Sequence, residues 1–331
     1  MRVGFVGLGR IGAAHAQVVR DHPAVEQLVV ADAAPGRARS FAEQHGVTAA
    51  ADVAGALRDV DALVVAAATA AHADLIVTGV EAGLPTFCEK PVASDVAGHL
   101  RVLAAVERTG VPVQIGFQRR FDAGYLAARE AVLAGVLGEV RRLHMVTGDE
   151  KPPPAEFIER SGGVWRDVHV HDFDVARFVT GREVVEVYAV GANRGAAYFG
   201  TAGDADESAA VLTLDDGTLA TLQGSRYNGG GHDVRMEVAG TKATWVVGLG
   251  EHAPLVPADP GVPAPGDPWP DFWHRFLPAY VAELHAFVEV AAGRRESPCT
   301  VRDALEAFCV AEAATLSRSE HRPVRVAEVR P

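Results

Sequence analysis

Cysteine is scarce in this chain, with only Cys88, Cys299 and Cys309 among 331 residues. Three is an odd number and the spacing is irregular, so neither a disulfide framework nor a zinc site is expected. We predict that the three are reduced thiols that pack as small apolar side chains in a cytoplasmic protein. No apolar run approaches the roughly 20 residues that span a bilayer. The opening segment MRVGFVGLGRIG has none of the regions of a signal peptide. With neither a spanning run nor a signal peptide, no membrane partner is expected.

Clusters of lysine and arginine are absent too, and the net charge is −12. Binding to nucleic acid requires a face on which basic side chains outweigh acidic ones, so a nucleic-acid partner is not expected. The composition, 48% hydrophobic and 22% charged, is typical of a globular protein. A chain of 331 residues exceeds what one core usually supports, which predicts two domains or one domain with a large appended sheet.

Short apolar runs alternate with helix-like stretches over the first third of the chain. This alternation is typical of a parallel sheet with crossover helices, and it predicts a domain over residues 1–120. The predicted strands are RVGFVGLG, QLVVAD, a short strand near Val47, ALVVAAA, PTFCEKP and VPVQIGF. The predicted helices cover residues 11–21, 36–45, 70–83 and 94–109.

After residue 120 the pattern changes, and residues 121–331 are predicted to form a second domain. Helices are expected over 124–135 and 164–179, and five strand-like runs then follow one another between 183 and 247 with short turns. Strands joined without helices predict a mainly antiparallel sheet, in which DDG and GT mark hairpin turns. The helices over 275–293 and 301–318 are expected to pack back on the body. The predicted class is therefore α/β, a Rossmann fold followed by an α/β domain with a large antiparallel sheet.

Gly7, Gly9 and Gly12 form the pattern G-x-G-x-x-G between the first strand and the first helix. In a dinucleotide site the first glycine permits a tight turn, the second lets the backbone approach the pyrophosphate, and the third lets the helix pack against the strand. The first helical residues, Arg10 and Ile11, then offer N–H groups to the phosphates. The alternative is a glycine turn that binds nothing.

Asp32 ends the second predicted strand, 20 residues after Gly12. A carboxylate there accepts hydrogen bonds from the ribose hydroxyls and repels a 2′-phosphate, so NAD is favoured over NADP. Arg37 and Arg39 follow closely. Either could bind a 2′-phosphate, or could be a solvated charge at the start of an exposed helix.

Longer segments identify a family resemblance. GLGRIGAAHA, GVEAGLPTFCEKPVASD, GFQRRFDAGY, SGGVWRDVHVHDFDVARF and SPCTVRDALEAF resemble the Gfo/Idh/MocA family of sugar and cyclitol dehydrogenases, most of all its inositol dehydrogenases. The resemblance covers nearly the whole chain. It implies a Rossmann domain, a second domain whose sheet forms dimers or tetramers, and a cleft in which nicotinamide faces the substrate.

The catalytic lysine of that family matches Lys90 in EKP. A lysine at the carboxyl end of a parallel strand stands where ligands bind, although a surface lysine is the alternative. Pro91 resembles the Lys-Pro junction at which a cis bond directs the lysine. Glu89 either anchors the local structure or lies near the nicotinamide. Thr69, His72 and Gln118 are the further cofactor positions that the resemblance implies.

Asp167 and His171 match the family pattern D-x-x-x-H-D. Four-residue spacing predicts that both side chains share a helix face, where the carboxylate holds the imidazole as a base for the alcohol proton. The alternatives are a packed or surface histidine without a catalytic role and an H-x-H metal pair with His169. Helical residues two apart point about 200° away from each other, which disfavours the metal pair.

The resemblance also implies a set of substrate-side positions. They are Arg119, Asp149, Asn228 and His232, beside Gln118 and the catalytic Lys90, Asp167 and His171. The chain departs from its relatives at His232, where tyrosine is common, and at Ala70, where proline is usual. The first departure concerns the substrate, and the second concerns a loop near the cofactor.

These observations predict reversible oxidation of a secondary alcohol on a cyclitol or sugar by NAD, in a homo-oligomer. Inositol is the leading substrate, and amino-cyclitols, glucose-type sugars and glycosides are alternatives. Two other classes remain open. One is an NADP-linked ketoreductase of a biosynthetic pathway, and the other is an NAD-binding regulator without turnover.

Overall fold

The apolar strands of the N-terminal third form a parallel sheet in the order β3-β2-β1-β4-β5-β6. The runs are buried on both faces, as expected for a sheet covered by crossover helices. The strands are β1 (Arg2–Val6), β2 (Gln27–Ala31), β3 (Thr48–Ala49), β4 (Ala62–Val65), β5 (Thr86–Glu89) and β6 (Val113–Gly116). Because β1 pairs with both β2 and β4, the strand order reverses beside β1. In such sheets ligands bind at the carboxyl ends of the strands next to this reversal.

The crossover helices begin and end close to the predicted positions. They are α1 (Arg10–Arg20), α2 (Arg37–His45), α3 (Val53–Ala56), α4 (Thr69–Glu81) and α5 (Val96–Thr109). Asp95 caps α5 by accepting a hydrogen bond from the Gly98 N–H, and the left-handed Gly110 ends it. The single turn α3 has no period to reveal it in sequence and was not predicted.

The computed structural model describes residues 1–330, which form two units. The first comprises residues 1–121 and 278–305, and the second comprises the remainder of the described chain. Leu284 and Phe287, from a C-terminal helix, pack with Val3 and Phe5 in the core of the first unit. The segment 278–305 therefore completes the core of the N-terminal sheet.

A second sheet has the order β12-β11-β7-β10-β9-β8-β13. Its strands are β7 (Val140–Gly148), β8 (Val184–Ala192), β9 (Glu207–Leu214), β10 (Leu219–Ser225), β11 (Asp233–Gly240), β12 (Thr244–Val247) and β13 (Val324–Arg325). The β9–β10 and β11–β12 pairs are antiparallel, which confirms both predicted hairpins. The β7–β10 pair is parallel. The sheet is thus mainly antiparallel, and the predicted fold class is confirmed.

The prediction of one continuous helix over 164–179 is wrong. The second unit's helices are α6 (Ala123–Leu133), α7 (Ala155–Ser161), α8 (Val164–Asp167), α9 (Val170–Thr180) and α10 (Tyr198–Thr201), and the C-terminal helices are α11 (Phe272–Ala291) and α12 (Val301–Glu320). The Val164 carbonyl accepts hydrogen bonds from the N–H groups of both Val168 and His169, each at 3.0 Å. The second of these is a π-type bond, which inserts one residue into the turn between α8 and α9.

One face of the second sheet is buried and the other carries exposed apolar side chains. Buried and more exposed side chains alternate along β8, β9 and β10, because successive side chains of a strand point to opposite faces of the sheet. The exposed set includes Tyr188, Val190, Val211 and Leu219. Among residues 1–330, no helix combines the length and apolar character needed to cross a membrane.

His99, fully buried on α5, should make stability depend on pH. Burial lowers the pKa of His99 to about 4, although the hydrogen bond with the Asp95 carbonyl acts in the opposite direction. An unfolded histidine titrates near 6.5, so between pH 6.5 and 4 the unfolded chain binds a proton that the native chain does not. Native stability should therefore fall as the pH falls through this window, by on the order of 3 kcal/mol in total.

Urea unfolding of wild type and H99N from pH 7.5 to 4.5 measures how much His99 contributes to the pH dependence of the free energy of unfolding. The H99N variant should lose less stability on acidification than wild type. The exposed His321, at φ 53° where asparagine is tolerated, supplies the control H321N, which should follow wild type. Parallel curves for H99N and wild type would contradict the assignment.

Candidate functional site

The glycine turn between β1 and α1 has the shape that a dinucleotide site needs. Gly7 has φ +100°, and a Cβ there would lie 2.4 Å from the Ala67 nitrogen. A Cβ on Gly12 would lie 2.1 Å from the Gly7 carbonyl oxygen, so α1 can approach the strand only with glycine at this position. A Cβ on Gly9 would meet nothing within 4 Å. The protein itself does not require glycine at position 9, and the open space there fits a pyrophosphate group.

Asp32 stands at the end of β2 with its carboxylate held in place. Its oxygens accept hydrogen bonds from the Leu8 N–H at 2.6 Å and the Ala34 N–H at 2.7 Å. The half-exposed Arg37 guanidinium lies 3.1 Å and 3.3 Å from the same two oxygens. Arg10 and Ile11 form the first turn of α1, beside the glycine turn. The residues present therefore fit a dinucleotide whose ribose carries free hydroxyls.

Glu89 is anchored by a residue that the sequence analysis missed. The buried His15 lies with its Nε2 2.6 Å from Glu89 Oε1, and the Lys90 N–H donates to Glu89 Oε2 at 3.2 Å. Of the two roles considered for Glu89, this geometry favours the local anchor. The partners are 74 residues apart, and no spacing rule connects them.

His72 is enclosed by backbone carbonyls. Its Nδ1 lies 2.7 Å from the Pro91 oxygen and its Nε2 lies 2.9 Å from the Ala67 oxygen. The histidine thereby links the loop after β4 to the turn after Lys90. Lys90 is half-buried, and its bond to Pro91 is cis. Thr69 is the first residue of α4, and contact of His72 or Thr69 with the cofactor stays a prediction.

Gln118 and Arg119 follow β6 in a 3₁₀ turn, where both are buried. Arg120, in the same turn, donates to the Pro298 carbonyl at 3.0 Å and lies 3.2 Å from Asp303. These contacts connect the turn to the C-terminal segment of the first unit. The turn leaves the carboxyl end of a parallel strand, which is the edge where ligands bind.

Asp149, Asn228 and His232 come together in the second unit. The Asp149 N–H donates to the Ser225 carbonyl, and the Asn228 N–H donates to the Asp149 carbonyl at 2.8 Å. His232 Nδ1 lies 3.4 Å from Asp149 Oδ1. Three predicted substrate positions, 83 residues apart at the extremes, thus form one polar cluster beyond the ends of β7 and β10.

Arg226 joins this cluster to Asp167, and the sequence analysis missed it. Its Nη1 donates to Asp149 Oδ2 at 3.2 Å and its Nη2 donates to Asp167 Oδ2 at 2.8 Å. Burial opposes the charge of the guanidinium, but the carboxylates of Asp167 and then Asp149 raise the pKa of Arg226 above its ordinary value. A lone arginine after a strand, in SRYNGGGHD, carries no signal of its own; only the positions of the two aspartates reveal it.

His171 lies on the first turn of α9 and is half-buried. A π-type bond interrupts the helix between Asp167 and His171, so the two residues lie on separate helices, α8 and α9, and the pairing of their side chains stays a prediction. Both residues belong to the second unit, whereas Lys90 belongs to the first. That Lys90, Asp167 and His171 act together on one alcohol stays a prediction.

His169 is a buried member of a hydrogen-bond network. Its Nδ1 lies 2.7 Å from Asp172 Oδ2 and its Nε2 lies 2.8 Å from Ser208 Oγ. Thr147 donates to the same aspartate at 2.9 Å. Both ring nitrogens therefore have protein partners, which disfavours an H-x-H metal pair with His171.

Comparison with family models covers most of both units. A model described as the oxidoreductase family NAD-binding Rossmann fold matches residues 1–117. A model described as the GFO/IDH/MocA C-terminal domain matches residues 125–246. The family resemblance, the Rossmann fold and the NAD cofactor predicted from the sequence are confirmed.

Full-length relatives extend the comparison. The chain is 40% identical to the myo-inositol dehydrogenase Hyg17 of Streptomyces leeuwenhoekii, over 96% of this chain and 97% of the relative. It is 35% identical to inositol 2-dehydrogenase of Rhizobium meliloti, over 99% of both chains. It also superposes with a TM-score of 0.88, at 27% identity and 99% coverage of both chains, on scyllo-inositol dehydrogenase of Lactobacillus casei with bound NAD(H) and scyllo-inositol. With its glycine turn, its Asp32 and these matches, the chain belongs to the GFO/IDH/MocA family of oxidoreductases.

Proposed function

We propose that this protein is an NAD-dependent dehydrogenase that oxidises a secondary alcohol of a cyclitol, with an inositol as the leading substrate. The observation that carries the proposal is the polar cluster of Asp149, Asn228 and His232, held by Arg226 to Asp167. A polyol presents several hydroxyls, each a donor and an acceptor, and this cluster supplies carboxylate, amide and imidazole groups for them. The relatives named above act on inositols, which supports the same substrate class.

The two parts of the chain have different proposed roles. Residues 1–120 bind the cofactor through the glycine turn and Asp32 and also supply Lys90, whereas residues 121–331 supply the base and most of the substrate groups. NAD, when bound, supplies the nicotinamide C4 that accepts the hydride. Asp32 accepts from the ribose hydroxyls, and its charge disfavours the 2′-phosphate of NADP.

Oxidation of the alcohol breaks its C–H and O–H bonds and forms a C=O bond. The hydride leaves carbon with its electron pair, and the proton leaves oxygen. Lys90 donates a hydrogen bond to the carbinol oxygen and orients it, and His171 accepts the proton. Asp167, which the buried Arg226 holds, supports His171. The products are ketone, NADH and one proton, and the same groups serve the reverse reduction.

The sheet of the second unit supports assembly into a homo-oligomer, a dimer or a homotetramer. Its exposed face carries Tyr188, Val190, Val211 and Leu219, each at least 41% exposed. An apolar face of this kind is covered when two copies associate through it. The reduced thiols are consistent with a cytoplasmic location: Cys88, Cys299 and Cys309 are buried and free.

NADH formation at 340 nm, measured across inositol isomers, amino-cyclitols, glucose-type sugars and glycosides, tests the function. We expect the highest kcat/KM with NAD and an inositol. Binding of NAD without reduction by any polyol would favour a regulator. Turnover only in the reductive direction with NADPH would favour a biosynthetic ketoreductase.

Replacing Asp32 with alanine should shift the cofactor preference. Removing the carboxylate removes its repulsion of a 2′-phosphate, so the ratio of kcat/KM for NADP to that for NAD should rise at least about tenfold. Steady-state kinetics with both cofactors measure the ratio. The exposed Asp74 on α4 offers the control D74A, which should leave it unchanged. An unchanged ratio in D32A would show that Asp32 does not set the preference.

Replacing His171 with alanine should remove the base while leaving the cofactor site intact. We expect kcat to fall by about 10²- to 10⁴-fold, with the NAD dissociation constant within about twofold of wild type because His171 lies outside the cofactor unit. Kinetics and fluorescence titration with NADH measure the two effects. The exposed His274 provides the control H274A. Near-normal turnover in H171A would exclude this role.

A further inference from the structure

We propose that Arg226 is a positioning residue that holds the carboxylates of Asp149 and Asp167 for the substrate; this inference rests on the proposed dehydrogenase function. No contact of Arg226 itself with the substrate is involved. The residue acts through the two aspartates, which come from different elements and which both accept hydrogen bonds from its guanidinium group.

Burial separates the positioning group from the groups that it positions. The Arg226 side chain is 4% exposed, whereas the side chains of Asp149 and Asp167 are 29% and 16% exposed. The arginine side chain is therefore almost completely enclosed, whereas both carboxylates remain partly accessible to a ligand.

The backbone also fixes the position of Arg226. Its N–H donates to the Asp206 carbonyl at 2.8 Å, directly after β10 ends at Ser225. The Asp149 N–H donates to the carbonyl of Ser225, the residue directly before Arg226, at 2.9 Å. The backbones of Asp149 and Arg226 are therefore held next to each other at the ends of β7 and β10. Asp167, at the end of α8, is fixed to this frame by the second guanidinium nitrogen.

Electrostatics require a cation at this place. The negative charges of Asp149, Asp167 and the buried Asp204 all stabilise the cationic form of Arg226. Asp204 also accepts a hydrogen bond from the Val164 N–H at the start of α8. Without the guanidinium, these carboxylates would repel one another in a partly desolvated site. Arginine suits the task because its planar fork presents separate nitrogens to two acceptors, whereas lysine presents one point charge.

Kinetics of R226M and R226K test the role. Misplacement of reacting or binding groups by about 1 Å can cost about 100-fold, so kcat/KM for inositol should fall about 100-fold in R226M, with the NADH dissociation constant within about twofold of wild type. R226K should recover part of the loss, because an ammonium group supplies the charge without the fork. The control R177M removes a similar buried arginine, which pairs with Glu183 on the same unit, and should leave kcat/KM within about threefold.

A double-mutant cycle separates positioning from a general structural role. If Arg226 acts through the aspartates, adding R226M to a D149N/D167N variant should change kcat/KM by less than about threefold, because the coupled groups are already gone. Independent, multiplying effects would overturn the proposal. A kcat/KM within about threefold of wild type in R226M itself would also overturn it.

A crystal structure of R226M, or of R226K if R226M does not fold, provides a readout that does not depend on activity. Displacement of the Asp149 and Asp167 carboxylates by about 1 Å or more would support the proposal, and unmoved carboxylates would overturn it. Failure of wild type to oxidise any polyol would instead refute the proposed function, and the structural comparison would still decide whether Arg226 positions the aspartates.

Discussion

The close approach of helix α1 to strand β1 is the constraint on which the cofactor unit depends. The helix can begin where it does only because Gly12 lies against the Gly7 carbonyl, at a distance that no side chain would allow. This packing directs the first N–H groups of α1 toward the carboxyl edge of the sheet, where the strand order reverses. The glycine turn also fixes the position of Asp32, because the Asp32 carboxylate accepts a hydrogen bond from the Leu8 N–H inside that turn.

Buried polar partners hold the proposed functional residues in both units. His15 holds Glu89 beside Lys90, and Arg226 holds Asp149 and Asp167. Burying a polar group costs free energy unless the group is hydrogen-bonded. Each of these contacts therefore favours the side-chain conformations that keep the hydrogen bond. The proposed functional side chains are thus held by residues to which no part in the reaction is assigned. Substitution of these supporting residues is expected to reduce activity without removing a reacting group.

The turn between α8 and α9 in the second unit is irregular, and two of the proposed functional residues, Asp167 and His171, flank it. The π-type bond from the His169 N–H to the Val164 carbonyl adds a residue to the turn between α8 and α9, and the His169 side chain is buried there. Asp167 is the last residue of α8 and pairs with Arg226. Such insertions are frequent at functional sites, because they redirect side chains without unfolding the helix.

The sequence by itself determined the features that depend on local chemistry. The glycine turn, the acid at the end of the second strand, the alternation of strands and helices, and the two hairpins follow from periodicity and backbone preference, and all are present in the structure. Only the tertiary structure decided which groups hold the site residues. Glu89 meets His15 across 74 residues and Asp167 meets Arg226 across 59, and no local pattern encodes contacts of that range. The break in the helix after Asp167 had the same origin, because an apolar stripe predicts a helix while the buried partners of His169 decide where it is interrupted.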